Sequence, residues 1–115
     1  MITIYGTNGC SITNRARAWL ERQNIAYRFS DHGFAEIGRP LLEQWISWVG
    51  WEALLDRTGK LFLMLPHEDR QNLDCEKAKA LMLEEPAMIR YPILIARFGT
   101  AAGFRPGQYE RLFGF

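Results

Sequence analysis

ITIYGTNGCSITNRARAWLERQNIAYRFSD, residues 2–31, decides the fold. Ile2 and Ile4 alternate with Thr3, Tyr5 follows, and Gly6 stops what reads as a short strand. After Cys10, apolar residues fall at Ile12, Ala16, Trp19 and Leu20, which is helical spacing. Asn14, Arg15, Arg17, Glu21 and Arg22 take the opposite side, and Asn24 is a plausible helix stop. Ile25, Tyr27 and Phe29 then alternate with Ala26, Arg28 and Ser30, the pattern of a second strand. Strand, helix and strand in about 30 residues form a βαβ unit, which predicts parallel strands joined by a right-handed crossover.

Outward from that unit, Asp31–Arg39 reads as a loop. Pro40 suits the first turn of a helix whose Leu41, Leu42, Trp45, Ile46, Trp48 and Val49 predict a broad buried face. Gly50 stops it; 51–55 reads as one further helical turn and 56–60 as a turn around Thr58-Gly59. A short helix is expected over 66–71, and one capped by Asp74 over 75–84, ended by Pro86. Ile93–Ala96 is an apolar strand after Pro92, with a hairpin partner at Thr100–Phe104. Pro106 opens a last helix with Tyr109, Leu112 and Phe113 on one side. The order βαβ, helices, ββα is the thioredoxin arrangement. The expectation is one α/β domain of 115 residues with a four-stranded mixed sheet: a βαβ half over 1–35, a helical insertion over 36–88 and a ββα half over 89–115.

Composition narrows the function classes. There are 14 basic and 13 acidic residues, for a net charge of +1, so charge alone gives no reason to expect a nucleic-acid or membrane partner. No apolar run approaches the ~18 residues of a spanning helix, and the N-terminus lacks a signal-peptide pattern. Cys10, Cys75, His32 and His67 are too few for a disulfide framework and have no zinc-site spacing. A reduced, cytoplasmic setting is expected. Cys75 with Ala78 and Met82 reads as a core-facing stripe, the histidines as surface residues, and Trp19, Trp45, Trp48 and Trp51 as core.

Cys10 is the chemical candidate. At a helix N-terminus a cysteine faces unpaired backbone N–H groups and the positive end of the helix dipole. Both favour the thiolate, the nucleophilic form, and the same groups can hold an anion beside the sulfur. The plain alternative is a small structural residue in a turn. A tyrosine-phosphatase-like loop would need Arg six residues on, where Ala16 stands. A Cys-x-x-Cys switch would need cysteine where Thr13 stands, so any reductase mechanism here is monothiol.

The chain resembles the arsenate reductase/Spx family of thioredoxin-like proteins, and within it the small YffB-type members. The resemblance rests on Y-G-x-x-x-C at Tyr5–Cys10, A-R-x-W-L at Ala16–Leu20, I-x-Y-x-F-x-D at Ile25–Asp31 and V-G-W-E-x-L-L at Val49–Leu55. It continues with L-M-L-x-x-P at Leu81–Pro86, the Pro92-led strand and G-F-R-P at Gly103–Pro106. It implies that Cys10 is the nucleophile and that Pro92 follows a cis bond beside the cysteine loop. It further implies that arginines hold an oxyanion. Arg105 matches its position. Arg57 falls one residue after the family position, held by Asp56, and Arg90 one before its own, held by Tyr91. Neighbours on an extended segment point to opposite faces, so this displacement weakens the arsenate reading. Asn8 in the cysteine loop and the Tyr91 backbone complete the expected substrate site. The resulting expectation is a monothiol oxidoreductase acting on a small thiol or oxyanion, with glutathione as co-substrate. The alternatives are an Spx-like regulator and a sensor glutathionylated at Cys10 without turnover. Glutaredoxin and RNA polymerase are the implied protein partners.

Overall fold

Strand β1 (Ile2–Gly6) lies at the centre of the sheet, because both of its edges are paired. The computed structural model describes residues 2–31 and 38–114; His32 and the remainder of the expected loop up to Ile37 lie outside them. Two compact units result: Met1–Gly33 with Tyr91–Phe115, and Phe34–Arg90.

In the first unit, β1 pairs in parallel with β2 (Tyr27–Asp31) and antiparallel with β3 (Ile93–Ala96). β3 pairs antiparallel with β4 (Gly99–Ala102), giving the mixed order β2-β1-β3-β4. The expected βαβ and ββα halves are both present. Helix α1 (Ser11–Arg22) is the crossover, and α6 (Pro106–Phe113) closes the unit. Ile4, Ala16, Leu20, Leu94 and Tyr109 are fully buried together. Tyr109 meets Trp19 edge-to-face at 5.6 Å and Phe104 at 4.8 Å, geometry that adds to simple burial. Gly99 lies against α6: a Cβ there would sit 2.7 Å from Leu112 Cδ1, so that side chain would have to move aside.

Three local expectations shift. β2 begins at Tyr27 rather than Ile25, because the Ile25 N–H bonds Leu20 O while Asn24, at φ 58, makes the left-handed turn that ends the helix. β4 is Gly99–Ala102 rather than Thr100–Phe104, since Gly103, at φ 74, turns the chain out of the strand. Ile12, expected in the buried stripe of α1, is exposed; the face turned inward carries Thr13, Ala16, Trp19 and Leu20.

The second unit is helical: α2 (Arg39–Val49), α3 (Trp51–Leu54), α4 (Lys60–Leu63) and α5 (Cys75–Glu84), with 3₁₀ turns at His67–Arg70 and Pro86–Met88. The sequence pattern did not resolve α4. The face of α2 is narrower than expected: Leu42 and Trp45 are buried, whereas Trp48 is 48% exposed and so is not core. Asp74 caps α5 by accepting from the Lys77 N–H at 2.8 Å. Ala78 and Met82 are buried, as their spacing requires, with Cys75 half-buried at the helix start. Among the described residues, no helix is long and apolar enough to cross a membrane.

Candidate active site

The loop between β1 and α1 is a tight turn in which the Cys10 N–H donates to Thr7 O at 3.1 Å. Cys10 then leaves the turn with φ −93° and ψ 116° and becomes the N-cap of α1. Its sulfur takes the place a Ser or Asp oxygen ordinarily holds: the Thr13 N–H points at Sγ, 3.5 Å away. The thiol is half-buried and free. The first N–H groups of α1 have no intrahelical acceptor, and the Thr13 N–H that points at the sulfur is one of them.

Two features hold this geometry. The first is the contact of Gly6 with Thr13. A Cβ on Gly6 would lie 2.6 Å from Thr13 Cγ2 and 2.7 Å from Thr13 Oγ1. Glycine there lets the first turn of α1 rest directly on β1. The second is Asn8. Its amide donates to Asp31 Oδ2 at 3.0 Å, its side-chain oxygen accepts from Arg17 Nη1 at 3.0 Å, and its backbone oxygen accepts from Asn14 Nδ2 at 2.8 Å. Asn8 thus ties the cysteine loop to the end of β2 and to α1. Sequence reasoning placed Asn8 among the substrate-binding residues; its side-chain oxygen and nitrogen are both engaged within the protein.

Arg17, which was not singled out, anchors the same network. Its Nε donates to Tyr27 OH at 3.1 Å, and its guanidinium lies 4.0 Å from the centre of the Phe29 ring. Tyr27 in turn donates to Glu21. Burial, then the bond to Glu21, raises the Tyr27 phenol above its ordinary range. The available signal was positional: Arg17 and Glu21 are one turn apart on α1, on the side facing β2.

The register gathers other candidates at the same sheet end. Tyr5 pairs with Ile93, so the next step outward sets Pro92 beside Gly6. The Tyr91–Pro92 bond is cis, as the resemblance implies. Pro92 O accepts from the Gly103 N–H at 2.9 Å, which brings the end of β4 alongside. Arg105, two residues further on, occupies the N-cap position of α6. Its carbonyl accepts from the Tyr109 N–H at 3.1 Å, while its exposed guanidinium has no hydrogen bond or ion pair among the described residues. Tyr91 is buried, its hydroxyl has no partner among the described residues, and desolvation pushes the phenol up to about 12.

Arg57 and Arg90 belong to the second unit. A short antiparallel bridge, Leu55 to Ile89, fixes them there, with Asp56 N donating to Met88 O and Arg90 N to Leu54 O. This sets Arg90 Nη2 3.5 Å from Asp56 Oδ1, a pair about one-third exposed. The guanidinium of Arg57 lies 5.8 Å from the centre of the Trp51 ring. Arg90 therefore carries a carboxylate of its own, while Arg105 has none among the described residues.

The sequence pattern of the ArsC family matches residues 5–112. The solved structure of an arsenate reductase related protein from Brucella melitensis is 38% identical, with a TM-score of 0.80, over 99% of this chain and 95% of that one. A YFFB protein of known structure is 35% identical, with a TM-score of 0.85, over 97% and 98% of the two chains. The global transcriptional regulator Spx of Streptococcus agalactiae is 26% identical over 94% of this chain and 80% of its own.

Proposed function

Since the chain belongs to the ArsC family, we propose that it is a monothiol oxidoreductase with Cys10 as nucleophile and a glutathione-type thiol as co-substrate. The observation that carries this reading is the N-cap position of Cys10. A half-exposed sulfur receives the Thr13 N–H at the positive end of a 12-residue helix. Thr13 is buried at the place a Cys-x-x-Cys partner would hold, so a second thiol comes from outside the α1 turn.

In the proposed cycle the Cys10 thiolate attacks the glutathione sulfur of a mixed disulfide R–S–S–G. The S–S bond of the substrate breaks, RS⁻ leaves as a thiolate and takes up a proton to give RSH, and Cys10–S–S–G remains. A second glutathione thiolate attacks that intermediate and leaves as glutathione disulfide, restoring the Cys10 thiolate. The sum is RSSG + GSH → RSH + GSSG, with two electrons passed to the substrate disulfide. Arg105, unpaired at the same sheet end, holds a glutathione carboxylate by charge-assisted hydrogen bonds. The main chain at Tyr91 and Pro92, beside the start of β3, is where an extended peptide thiol pairs in strand-addition style. Glutaredoxin is the protein thiol that can replace the second glutathione. Arsenate is the less favoured substrate, because Arg90 is already paired with Asp56.

The test is reduction of a glutathionylated peptide by glutathione. Wild type and Cys75→Ser turn over, Cys10→Ser does not, and Arg105→Ala raises KM for glutathione. A mixed disulfide that forms at Cys10 without turnover identifies a sensor instead. Absence of both overturns the redox reading.

The similarity to Spx over 94% of the chain supports a second reading, a protein-binding regulator with RNA polymerase as partner. Co-purification with polymerase that persists in Cys10→Ser, together with no peptide reduction, would favour it.

A further inference from the structure

The second unit carries a groove unrelated to Cys10. It has a volume of about 440 Å³ and a floor of Leu61, Met64, Leu65, Leu81 and Met88. Two smaller depressions, about 220 and 200 Å³, adjoin it: one shares Leu61 and Met88, the other Asp69, Leu81 and Glu84. Leu61 is 40% and Met64 69% exposed, an unusual outlay of large apolar surface for one short helix. Methionine in such a place adapts its shape to varied apolar guests.

The rim is acidic. Glu68, Asp69, Glu84 and Glu85 border the floor or its extension. Among the described residues none of these four carboxylates has a hydrogen bond or ion pair. Lys77 and Lys60 line the smaller depressions, leaving the main groove bordered by Asp69, Glu84 and Glu85 with no cation. Unpaired carboxylates around an apolar floor select a guest that is apolar on one face and cationic on its flanks.

We propose that this groove docks a basic amphipathic helical segment of a partner protein. Two or three of the segment's apolar side chains seat on Leu61, Met64 and Leu81, and its Lys or Arg residues pair with Asp69, Glu84 and Glu85. The site acts independently of the Cys10 chemistry.

The test uses the full chain and a fluorescein-labelled model helix of about 14 residues, with Leu on one face and Lys elsewhere. Two control peptides replace every Lys by Glu or scatter the Leu positions. Fluorescence anisotropy is expected to show binding of the Lys peptide alone, weakening as salt rises from about 50 to about 300 mM. Met64→Asp, and Glu84→Lys with Glu85→Lys, each weaken it about tenfold or more. Leu63→Ser, an exposed leucine outside the groove, and Cys10→Ser leave it unchanged. Thermal melts confirm that each variant folds, and Glu84→Gln with Glu85→Gln serves if the reversal does not. Equal binding of the Glu or scattered peptide, or indifference to Met64→Asp, overturns the proposal. So does concentration-dependent self-association abolished by Met64→Asp, which would give the groove to a second copy of the chain.

Discussion

Gly6→Ala is the sharpest test of how the cysteine loop is built. Gly6 does not adopt a positive φ, so alanine fits its backbone and the whole effect is steric. The new methyl would sit 2.6 Å from Thr13 Cγ2 and 2.7 Å from Thr13 Oγ1, and 3.3 Å from Thr13 Cβ. Thr13 is fully buried on a helix and β-branched, so it has little room to rotate away. Relief requires an off-rotamer Thr13 or a shift of α1, and overpacking of this kind costs about 1–3 kcal/mol. Thr13→Ala removes both offending atoms. Alone it loses a buried methyl worth about 0.8 kcal/mol, but it also removes a buried hydroxyl without a partner among the described residues, which offsets about 1 kcal/mol. Its net effect is therefore within about 1 kcal/mol of zero. In the double variant only the 3.3 Å Cβ contact remains. Equilibrium urea unfolding of the four proteins should return a favourable coupling of about 1–2 kcal/mol. The same set should show slowed iodoacetamide labelling of Cys10 in Gly6→Ala, restored in the double variant, because the Thr13 N–H aims at the sulfur. Additive losses, or unchanged labelling throughout, would refute the reasoning.

Asn8→Ala should cost about 1–2 kcal/mol in urea unfolding and slow Cys10 labelling while leaving KM for glutathione unchanged, since its side chain braces the loop. Asp56→Asn keeps an acceptor for the Thr58 N–H and hydroxyl and removes only the charge opposite Arg90. Because that pair is one-third exposed, the stability loss should stay under about 1 kcal/mol. Tyr91 stays protonated in the fold up to about 12, whereas an unfolded tyrosine releases its proton near 10. At Tyr91 the unfolded chain then binds fewer protons, so this residue's contribution to stability is intact below about pH 10 and falls by about 1.4 kcal/mol per pH unit toward 12, beside a fall of the same sign from Tyr109, whose phenol burial also raises. Tyr91→Phe should flatten that fall in urea titrations at high pH. An unchanged slope would assign the fall to other groups.

The βαβ unit and the Pro92-led hairpin were legible in the chain because period-two and helical spacings are local properties, set by which residues alternate and where Gly and Pro interrupt them. The place of Cys10 at the start of α1 was legible for the same reason, since a cysteine stands directly ahead of a helical stripe. Sequence alone, with the resemblance it carries, determined the four-stranded mixed sheet and the family, and it put Thr13 where a Cys-x-x-Cys partner would stand. Tertiary structure decided what depends on phase and long-range partners. It turned Thr13 rather than Ile12 inward, because the close approach to Gly6 sets the rotation of α1. It left Trp48 in solvent because only Leu42 and Trp45 of α2 face inward. It gave Arg90 a carboxylate through the bridge between Leu55 and Ile89, which no spacing in the chain announces. It made Asn8 a brace, since Asp31 and Arg17 are distant in sequence and meet it only when β2 lies beside β1. Strands and helices follow from neighbours along the chain; which charges are paired follows from neighbours across it.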